Sequence, residues 1–511
     1  MKSKTLFRVM VAILIALVIL DILPHLQRKP SSQSGHIIPV PGTATPALPA
    51  TPAPAPGEMK AATLTVDGKQ WGKSTCYIGA VEGSSRFDIS DLLDLGINTY
   101  RIFGGMPRWE TQDDSSVYGS PSIAQIKANP NVINWARWDQ VMSNPAGGSD
   151  YGWAQPPRWQ GSARTLFSQL QNAHIRTIIS LRNQDDQHNP SWAPNPPRTQ
   201  ADWNEWWEHV FAFVYWLNVR NHYNINDFEV QNEPNIPQQG WLGSQADYET
   251  FLRYTHDAID YVYRTYLPGQ TYHVYAPSTT ATVVLGRWPQ QVLQTSSNSF
   301  DNMDIHIYNK SIVSYVEQVH AWMNAEGHAQ EPLWLTEWGS YTNQYNSVEF
   351  GVDLVKNLIY GSRPGNDYVY GSHIFSLYDF GTTPTGLISS TGVRRSAYYA
   401  VRMGIRALQG CRPTYESRSS TADILAITTR SSDNSLYLLV ANNTHTSYNI
   451  NANLLSLLKS GSGTLWQFDA GHMDSRAGTY ALNGGHVTFP MPAMSALLFR
   501  FTPQTSRENG E

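Results

Sequence analysis

The chain contains 511 residues, 41% of them hydrophobic and 15% charged, with a formal net charge of −5. These proportions are typical of a globular protein with a sizeable core and exclude an intrinsically disordered chain. The negative net charge argues against nucleic acid and against an anionic membrane surface as partners, because neither attracts a negatively charged protein.

Only two cysteines occur in the chain, Cys76 and Cys411. Two thiols cannot build a disulfide framework, a cysteine-based zinc module or an iron–sulfur cluster. We expect two separate buried thiols, with a single bridge in an oxidising compartment as the alternative. No cofactor and no metal site is predicted from any part of the sequence.

The first 29 residues have the features of a targeting segment. Lys2, Lys4 and Arg8 precede an apolar run from Val9 to Leu20. Basic residues before such a run are typical of a secretory signal, and the run is shorter than a full membrane span of ~20 residues. We predict that residues 1–29 are a signal anchor, with a cleaved signal peptide as the alternative. Either way the rest of the chain is extracytoplasmic, membrane-anchored or secreted, and only this segment contacts a membrane.

Residues 30–60 are rich in proline, alanine and threonine. Recurrent proline favours an extended chain that cannot bury a core, so this segment is predicted to be a linker. At the other end, residues 504–511 are predicted to be a disordered tail. The globular part then covers residues 61–503, and its oligomeric state stays open.

From residue 61 to residue 406, short β-rich runs alternate with longer amphipathic stretches. Strands that alternate with helices pair in parallel, and eight such repeats predict a closed (β/α)8 barrel of the α/β class. A doubly wound open sheet is the competing fold, but no glycine-rich phosphate turn follows the first strand. The eight predicted strands are Thr75–Gly79, Asn98–Phe103, Arg176–Leu181, Asp227–Asn232, Tyr272–Ala276, Met303–Tyr308, Leu333–Glu337 and His373–Tyr378.

After residue 406 the helical pattern stops, and residues 407–503 are predicted to form an antiparallel β-sandwich. Short alternating strands are separated there by Ser, Asn and Gly, beginning with Asp423–Thr429 and Ser435–Ala441. The segment Ala62–Val66, at the other end of the globular part, is a candidate further strand of the same sandwich.

The fourth predicted strand of the barrel runs into the tripeptide Asn-Glu-Pro. Side chains alternate along a strand, so Glu229, Gln231 and Glu233 are expected to share one face. If that face is the barrel interior, Glu233 lies at the carboxyl end, where barrel active sites are built. There it is well placed to protonate a glycosidic oxygen. Glu229 lies deeper and is expected to be a structural carboxylate paired with Arg101 or Arg182.

A second acid ends the seventh predicted strand, where apolar residues run directly into Glu337. Two carboxylates ~5–5.5 Å apart can flank a glycosidic bond, one as proton donor and the other as nucleophile at the anomeric carbon. The donor needs a raised pKa, whereas the nucleophile must stay ionised. Tyr308 is expected to donate a hydrogen bond to Glu337, and His306 lies on the same face of its strand.

The Asn-Glu-Pro and Thr-Glu-Trp motifs resemble those of the clan A glycoside hydrolases. Within the clan the chain most resembles glycoside hydrolase family 39, the β-xylosidase and α-iduronidase group, over roughly residues 70–405. Family 5, the cellulase and mannanase group, shares the Asn-Glu-Pro, His-x-Tyr and Glu pattern and is the second choice.

The resemblance implies a retaining hydrolase in which Glu233 is the general acid/base and Glu337 the nucleophile. It also implies that Asn232 binds the sugar 2-hydroxyl and that Arg101 supports the nucleophile.

Two positions depart from the family pattern. Gln231 stands where family members usually carry Trp before Asn-Glu-Pro, and the strand-eight Trp that floors the sugar subsite is matched at best by Tyr378. Trp241 follows the fourth strand and is predicted to stack on a sugar. Together with His306 and Tyr308, these residues complete the predicted substrate-binding set.

The sequence thus predicts a cofactor-free retaining hydrolase of β-linked oligo- or polysaccharides. A transglycosylase would use the same two glutamates and differ only in whether water or a sugar hydroxyl resolves the glycosyl-enzyme. The alternative from another class is a catalytically silent carbohydrate-binding surface protein on the same scaffold. The sugar, its linkage and endo or exo action stay open.

Overall fold

The computed structural model describes residues 59–83, 87–106, 121–143, 162–183, 194–239, 241–281, 286–340, 342–380 and 383–503. The predicted targeting segment, nearly all of the linker and the predicted tail lie outside these ranges. Within them, no helix is both long enough and apolar enough to cross a membrane.

Eight parallel strands form a closed barrel in chain order, β2 to β9, and the ring closes where β9 pairs with β2. All eight predicted strands are confirmed, with boundaries shifted by a few residues. Almost all of their residues are buried, polar and apolar alike, as expected of parallel strands that are covered on both faces. The strands are β2 (Tyr77–Val81), β3 (Thr99–Gly105), β4 (Arg176–Arg182), β5 (Asp227–Val230), β6 (His273–Thr280), β7 (Asn302–Tyr308), β8 (Leu333–Gly339) and β9 (Gly371–Phe375).

Helices pack around the barrel and bury their apolar faces against the strands. Two long ones begin at capping boxes, in which Thr199 pairs with Asp202 and Ser244 pairs with Asp247. The described helices are α1 (Ile89–Leu95), α2 (Ile123–Ala128), α3 (Trp135–Ser143), α4 (Ala163–Asn172), α5 (Gln200–Val214), α6 (Gln245–Tyr266), α7 (Trp288–Ser296), α8 (Val313–Ala325), α9 (Val348–Gly361) and α10 (Ser396–Leu408).

The remaining nine strands form one sheet in the order β15-β14-β17-β12-β11-β10-β1-β13-β16. Phe499 of β17 and Phe489 of β16 come from distant positions in this order, yet their ring centroids are 4.6 Å apart. The sheet therefore folds over on itself and encloses a single apolar core, as a sandwich does. The strands are β1 (Lys60–Lys73), β10 (Pro413–Ser419), β11 (Ile424–Arg430), β12 (Leu436–Asn442), β13 (Tyr448–Asn453), β14 (Gly461–Asp469), β15 (His472–Leu482), β16 (His486–Met491) and β17 (Ser495–Pro503).

Strand β1 precedes the barrel in the chain but belongs to the sandwich sheet. It pairs antiparallel with β10, where Leu64 lies opposite Ser419, and parallel with β13, where Lys60 lies opposite Tyr448. The expectation that Ala62–Val66 adds a strand there is confirmed. In chain order, the barrel is therefore an insertion between the first and second strands of the sandwich.

The two cysteines form a disulfide bond, so the expectation of two separate buried thiols is wrong. Their Cα atoms are 4.1 Å apart although they are separated by 335 positions in the sequence. Cys76 directly precedes β2 and Cys411 follows α10, so the bond joins the beginning of the barrel to its end. Sequence spacing could not show this pairing, because only the closure of the barrel brings the two ends together.

The barrel and the sandwich contact each other through α9 and α10. Arg402 and Arg406 on α10 form ion pairs with the buried Asp474 at 2.7 and 2.9 Å. On α9, Gly351 leaves room for the ring of Phe468, because a Cβ atom at this position would lie 2.6 Å from the ring. These contacts fix the sandwich against the outer face of the barrel.

The two ends of the barrel interior differ in character. Near the amino ends of the strands, Trp334 packs against Tyr77 and Tyr275, with ring centroids 5.5 and 5.2 Å away. Toward the carboxyl ends, the interior holds buried charged side chains, among them Arg101 and Glu229. The aromatic layer therefore fills one end, and the polar groups lie toward the other, where barrel enzymes place their sites.

Candidate active site

The chain leaves regular strand geometry at the end of β5. Gln231 and Glu233 have φ values of 61° and 43°, in the left-handed region that side-chain-bearing residues rarely adopt. The backbone N–H of Gln231 donates to Leu181 of β4 at 2.7 Å, and that of Glu233 donates to Ser278 of β6 at 3.1 Å. The turn is therefore held by both neighbouring strands.

This turn corrects the expectation that Glu229, Gln231 and Glu233 share one strand face. Regular alternation extends only to Val230, the last residue of β5. Beyond it, Asn232 rather than Gln231 joins Glu229 in contacting Arg101.

Glu233 lies almost completely buried at the carboxyl end of β5, with one carboxylate oxygen 3.0 Å from Nδ1 of His306. Burial is the largest influence on this carboxyl group and raises its pKa above the usual value. The contact with His306 opposes the rise without cancelling it. A carboxyl group in this environment tends to keep its proton, as a general acid must.

Glu337 lies at the carboxyl end of β8 and is surrounded by hydrogen-bond donors. Arg101 Nη1 is 2.5 Å from one carboxylate oxygen, and the Tyr308 hydroxyl donates to the other. His306 Nδ1 lies 3.4 Å from the same oxygen as Tyr308. The predicted contact from Tyr308 is present, so both carboxylate oxygens of Glu337 are held by hydrogen-bond donors.

Arg101, on β3, is fully buried and links two acids, Glu229 and Glu337. Its guanidinium bonds both carboxylate oxygens of Glu229, and its Nη2 nitrogen donates to Asn232 Oδ1 at 2.9 Å. Burial opposes the charge of Glu229, but Arg101 outweighs burial and lowers the pKa of Glu229 to about 2. The predicted structural pairing of Glu229 is confirmed, with Arg101 as its cation.

His306, on β7, stands between the two glutamates. Burial disfavours its charged form, yet the nearby carboxylates of Glu337 and Glu233 outweigh burial and raise the pKa of His306 to about 9. Its Nε2 nitrogen is 3.0 Å from the Thr336 hydroxyl, so both ring nitrogens have partners. At neutral pH the ring therefore carries a positive charge between two acids.

The two glutamates are close enough to act on one bond. One carboxylate oxygen of Glu233, one of Glu337 and one ring nitrogen of His306 all lie within 4.8 Å of one another. This separation is near the ~5–5.5 Å of retaining enzymes and well below the ~6.5–9.5 Å that leaves room for a water molecule in inverting enzymes. Their surroundings also differ, since Glu233 is buried beside His306 and Thr280, whereas Glu337 is held by Arg101, Tyr308 and His306.

Glu229, Asp304 and His306 form a second group whose potential ligand atoms lie close enough together to hold a metal ion. The oxygens of both groupings are already bonded by protein donors, so hydrogen bonds and ion pairs account for their proximity. These donors are Arg101, Tyr308, Ser278 and Thr336.

The two aromatic residues predicted to face a sugar pack against protein groups. Trp241 is fully buried, its ring packs edge-on against Phe251 at 5.2 Å, and its indole N–H donates to the Ser244 carbonyl. Tyr378 is also buried, and its hydroxyl bonds Asp88 and Asp91 at the start of α1. Both side chains are buried, and their predicted roles in sugar binding stay predictions.

Gln231, which stands where members of the family usually carry Trp, is fully buried and follows β5. Within the described part of the chain, neither atom of its side-chain amide has a hydrogen-bond partner. Its predicted role in substrate binding stays a prediction.

An aromatic residue that the sequence analysis missed lies at the end of the eighth barrel strand. Phe375, the last residue of β9, is partly exposed, and its ring meets the ring of Tyr308 edge-on at 5.4 Å. It also stacks on Phe380 at 5.0 Å with the ring planes nearly parallel. Because Tyr308 bonds Glu337, Phe375 borders the acid pair, and its place at the strand end was the available signal.

Comparisons with known proteins agree with this site. Residues 230–360, which include both glutamates, match the family model described as the glycosyl hydrolase catalytic core. No curated protein matches the chain by sequence.

Several solved structures share the fold. A glucosidase from Croceicoccus marinus has a TM-score of 0.63 at 12% identity, covering 87% of this chain and 100% of that one. A family 39 enzyme from Xanthomonas axonopodis pv. citri has a TM-score of 0.58 at 16% identity, covering 88% and 98%. A monomeric β-xylosidase from Caulobacter crescentus CB15 has a TM-score of 0.58 at 17% identity, covering 87% and 100%.

A parallel barrel whose strand ends carry two close glutamates, within a glycosyl hydrolase catalytic core, defines a glycosidase, and this chain is an enzyme of that class. The resemblance to the clan A glycoside hydrolases is confirmed. Enzymes of families 39 and 30 are among the proteins that share its fold.

Proposed function

We propose that the enzyme hydrolyses β-linked glycosides in oligo- or polysaccharides with retention of anomeric configuration. The observation that carries the proposal is the pairing of Glu233 and Glu337 within 4.8 Å, with the pKa of Glu233 raised by burial and the carboxylate oxygens of Glu337 held by Arg101 and Tyr308. The β configuration is supported by the family 39 resemblance and by the β-xylosidase among the structural neighbours.

In the first step, Glu233 donates its proton to the glycosidic oxygen while Glu337 attacks the anomeric carbon. The bond to the leaving group breaks, and a covalent glycosyl-enzyme forms on Glu337. In the second step, Glu233, now a carboxylate, takes a proton from water as that water attacks the anomeric carbon and releases Glu337. If a sugar hydroxyl takes the place of water, the same site acts as a transglycosylase.

The surrounding residues have distinct roles in this scheme. Arg101 and Tyr308 orient Glu337, and Asn232, fixed by Arg101, presents its amide toward the sugar 2-hydroxyl. His306 contacts both glutamates and balances their charge as the proton moves. Phe375 provides an apolar surface for the sugar ring beside the acid pair.

The test is a panel of aryl β-glycosides with product analysis by proton NMR. Wild type is expected to release the β anomer first, whereas Glu337→Ala is expected to be inactive with its fold intact by circular dichroism. An initial α anomer would overturn the retaining assignment. A wild type that binds sugars but hydrolyses none of the panel would instead favour a silent carbohydrate-binding protein.

We also propose that the enzyme acts outside the cytoplasm, anchored or secreted through residues 1–29. The basic residues and apolar run of that segment support export, and so does the disulfide, because such bonds persist in oxidising compartments. Thiol alkylation of the protein in its native host, followed by mass determination, checks this. A fully reduced protein in the cytoplasmic fraction would contradict it.

A further inference from the structure

A buried carboxyl group that the proposed mechanism does not use lies beneath His306. Asp304 precedes His306 by two residues on β7, is fully buried and accepts three hydrogen bonds. The Ser278 hydroxyl donates to it at 2.6 Å, the Thr336 N–H donates at 3.3 Å, and the Thr336 hydroxyl donates as well. These three donors satisfy the hydrogen-bonding capacity of the buried carboxylate and fix its position.

Both hydroxyl donors come from β-bulges in the strands that flank β7. In β6, Pro277 pairs with Asp304 and Thr279 with Ile305, so Ser278 is an extra residue in the strand. In β8, Leu335 pairs with Ile305 and Glu337 with His306, so Thr336 is an extra residue. A bulge re-aims side chains, because it interrupts the strict alternation of a strand.

The bulge in β8 explains how two consecutive side chains reach the same histidine. Glu337 lies 3.4 Å from His306 Nδ1, and the Thr336 hydroxyl lies 3.0 Å from His306 Nε2. In an unbroken strand, neighbouring residues point to opposite faces, and only one of the two would face His306.

The direction of each hydrogen bond follows from the donors available. The Thr336 hydroxyl has one proton and gives it to Asp304, so it can only accept from His306. Nε2 of His306 must then carry a proton. The other ring nitrogen, Nδ1, faces Glu233 at 3.0 Å and is left to gain or lose the second proton.

We propose that Asp304 and Thr336 are positioning residues that keep Nε2 of His306 protonated, so that Nδ1 is the ring nitrogen that exchanges a proton opposite Glu233. The catalytic consequence rests on the proposed function, because it concerns the proton of the general acid/base. The arrangement of protons on His306 does not depend on that function.

Other charged and titratable groups face this pair from five barrel strands and from α6. Burial, followed by the charge of Glu229, raises the pKa of Asp304 to about 7. Burial also lowers the pKa of His373 to about 3, so that ring is neutral beneath His306. The full set around Asp304 and His306 comprises Arg101 from β3, Glu229 and Glu233 from β5 and its end, Tyr248 from α6, Tyr308 from β7, Glu337 from β8 and His373 from β9.

The decisive variant is Thr336→Val, which removes the hydroxyl with little change in shape, and Thr336→Ser is the matched control that keeps it. Nitrogen-15 NMR of histidine-labelled protein reports which ring nitrogen is protonated, and His306→Gln assigns the resonance by difference. We expect wild type and Thr336→Ser to show the Nε2–H form at high pH. Thr336→Val should shift toward the Nδ1–H form and lower the pKa of His306 by about one unit, because a hydrogen bond to the charged ring is lost.

The kinetic readout is the alkaline limb of kcat/KM, which reports the proton on the general acid. When His306 loses its charge at lower pH, the Glu233 carboxylate is stabilised less, so this limb should move to higher pH in Thr336→Val and stay in place in Thr336→Ser. A purely structural role would lower kcat without moving the limb.

Asp304→Asn provides a second approach if Thr336→Val folds poorly. It removes the negative charge of Asp304, which accepts from Thr336, and the pKa of His306 should again fall. If the NMR titration and tautomer of His306 are unchanged in both variants, the proposal is overturned. If wild type lacks glycosidase activity altogether, the proposed function fails and the NMR result alone decides the proton arrangement.

Discussion

Arg101 and Glu337 form an ion pair from which solvent is excluded, with Nη1 2.5 Å from Oε1. The same guanidinium also neutralises Glu229, so one cation serves two acids. Removing Arg101 would leave Glu229 without its cation and Glu337 with only Tyr308 and His306 as partners, in a barrel interior where unpaired charges are strongly unfavourable. Stability and activity therefore depend on this residue through different partners.

We expect Arg101→Met to lose about 3–5 kcal/mol of stability in urea unfolding, the usual effect of breaking a buried pair. Adding Glu229→Gln removes the charge of Glu229, which has lost its ion pair with Arg101, and should recover part of the lost stability. Activity should stay lost in the double variant, because Glu337 still lacks its contact with Arg101. Recovery of kcat/KM together with stability would show that Arg101 acts only on the fold.

Phe375→Ala is expected to raise KM about tenfold by removing apolar contact area beside the acid pair, with a smaller change in kcat. Tyr378→Phe and Trp241→Phe are control variants, because both side chains are fully buried. Initial rates on an aryl glycoside measure both constants. If KM rises in the Tyr378 or Trp241 variant but not in the Phe375 variant, the sugar surface lies elsewhere.

Stability should fall as the pH rises above neutrality. The folded state raises the pKa of His306 from 6.5 to about 9, so it holds a proton that the unfolded chain releases earlier, and stability is lost between these values. The raised pKa of Asp304 acts in the same direction between 3.8 and about 7. Urea midpoints should therefore decline from pH 7 to pH 9, whereas below pH 6.5 the buried His209 and His373, whose pKa values are lowered to about 3, act in the opposite direction.

Single variants separate the contributions of His306 and Asp304. His306→Gln should flatten the decline above pH ~6.5, and Asp304→Asn should make the midpoint rise more steeply with pH below ~6.5. Profiles of both variants that run parallel to wild type would contradict the assignment.

Breaking the Cys76–Cys411 bond should destabilise the enzyme by about 2–5 kcal/mol, since the bond closes a very long loop. Urea unfolding of wild type with and without dithiothreitol measures the effect. The double variant Cys76→Ala/Cys411→Ala should match reduced wild type and should not respond to the reductant. Equal midpoints for oxidised and reduced wild type would refute the expectation.

Much of the architecture was predictable, because buried parallel strands leave a simple mark on the sequence. Runs such as Leu333–Glu337 are apolar up to a terminal acid, and the structure places that acid at the barrel mouth. The contact from Tyr308 to Glu337 also followed, since strands that are neighbours in the barrel bring their carboxyl ends together.

Other features depended on local geometry that alternation does not describe. The left-handed residues after Val230 redirect Asn232 toward Arg101, and the bulges at Ser278 and Thr336 aim both hydroxyls at Asp304. Strand periodicity assigns each residue to one of two faces and contains no information about such extra residues.

The sequence also did not show which way the aromatic side chains near the strand ends point. Trp241 and Phe375 both follow the ends of barrel strands, yet the first packs into the wall and the second borders the acids. Strands β10 and β15 were missed as well. In β15, most residues from His472 to Leu482 are at least partly exposed, so the strand lacks a clear apolar pattern.

The place of β1 in the sandwich has a consequence for synthesis of the protein. This strand leaves the ribosome before the barrel, whereas its partners β10 and β13 follow only after the barrel has been translated. An unpaired strand edge invites pairing with another chain while it waits. Lys60, Lys69 and Lys73, exposed in the finished sheet, place positive charge on this strand, and lysines on an unpaired strand edge disfavour pairing with another chain.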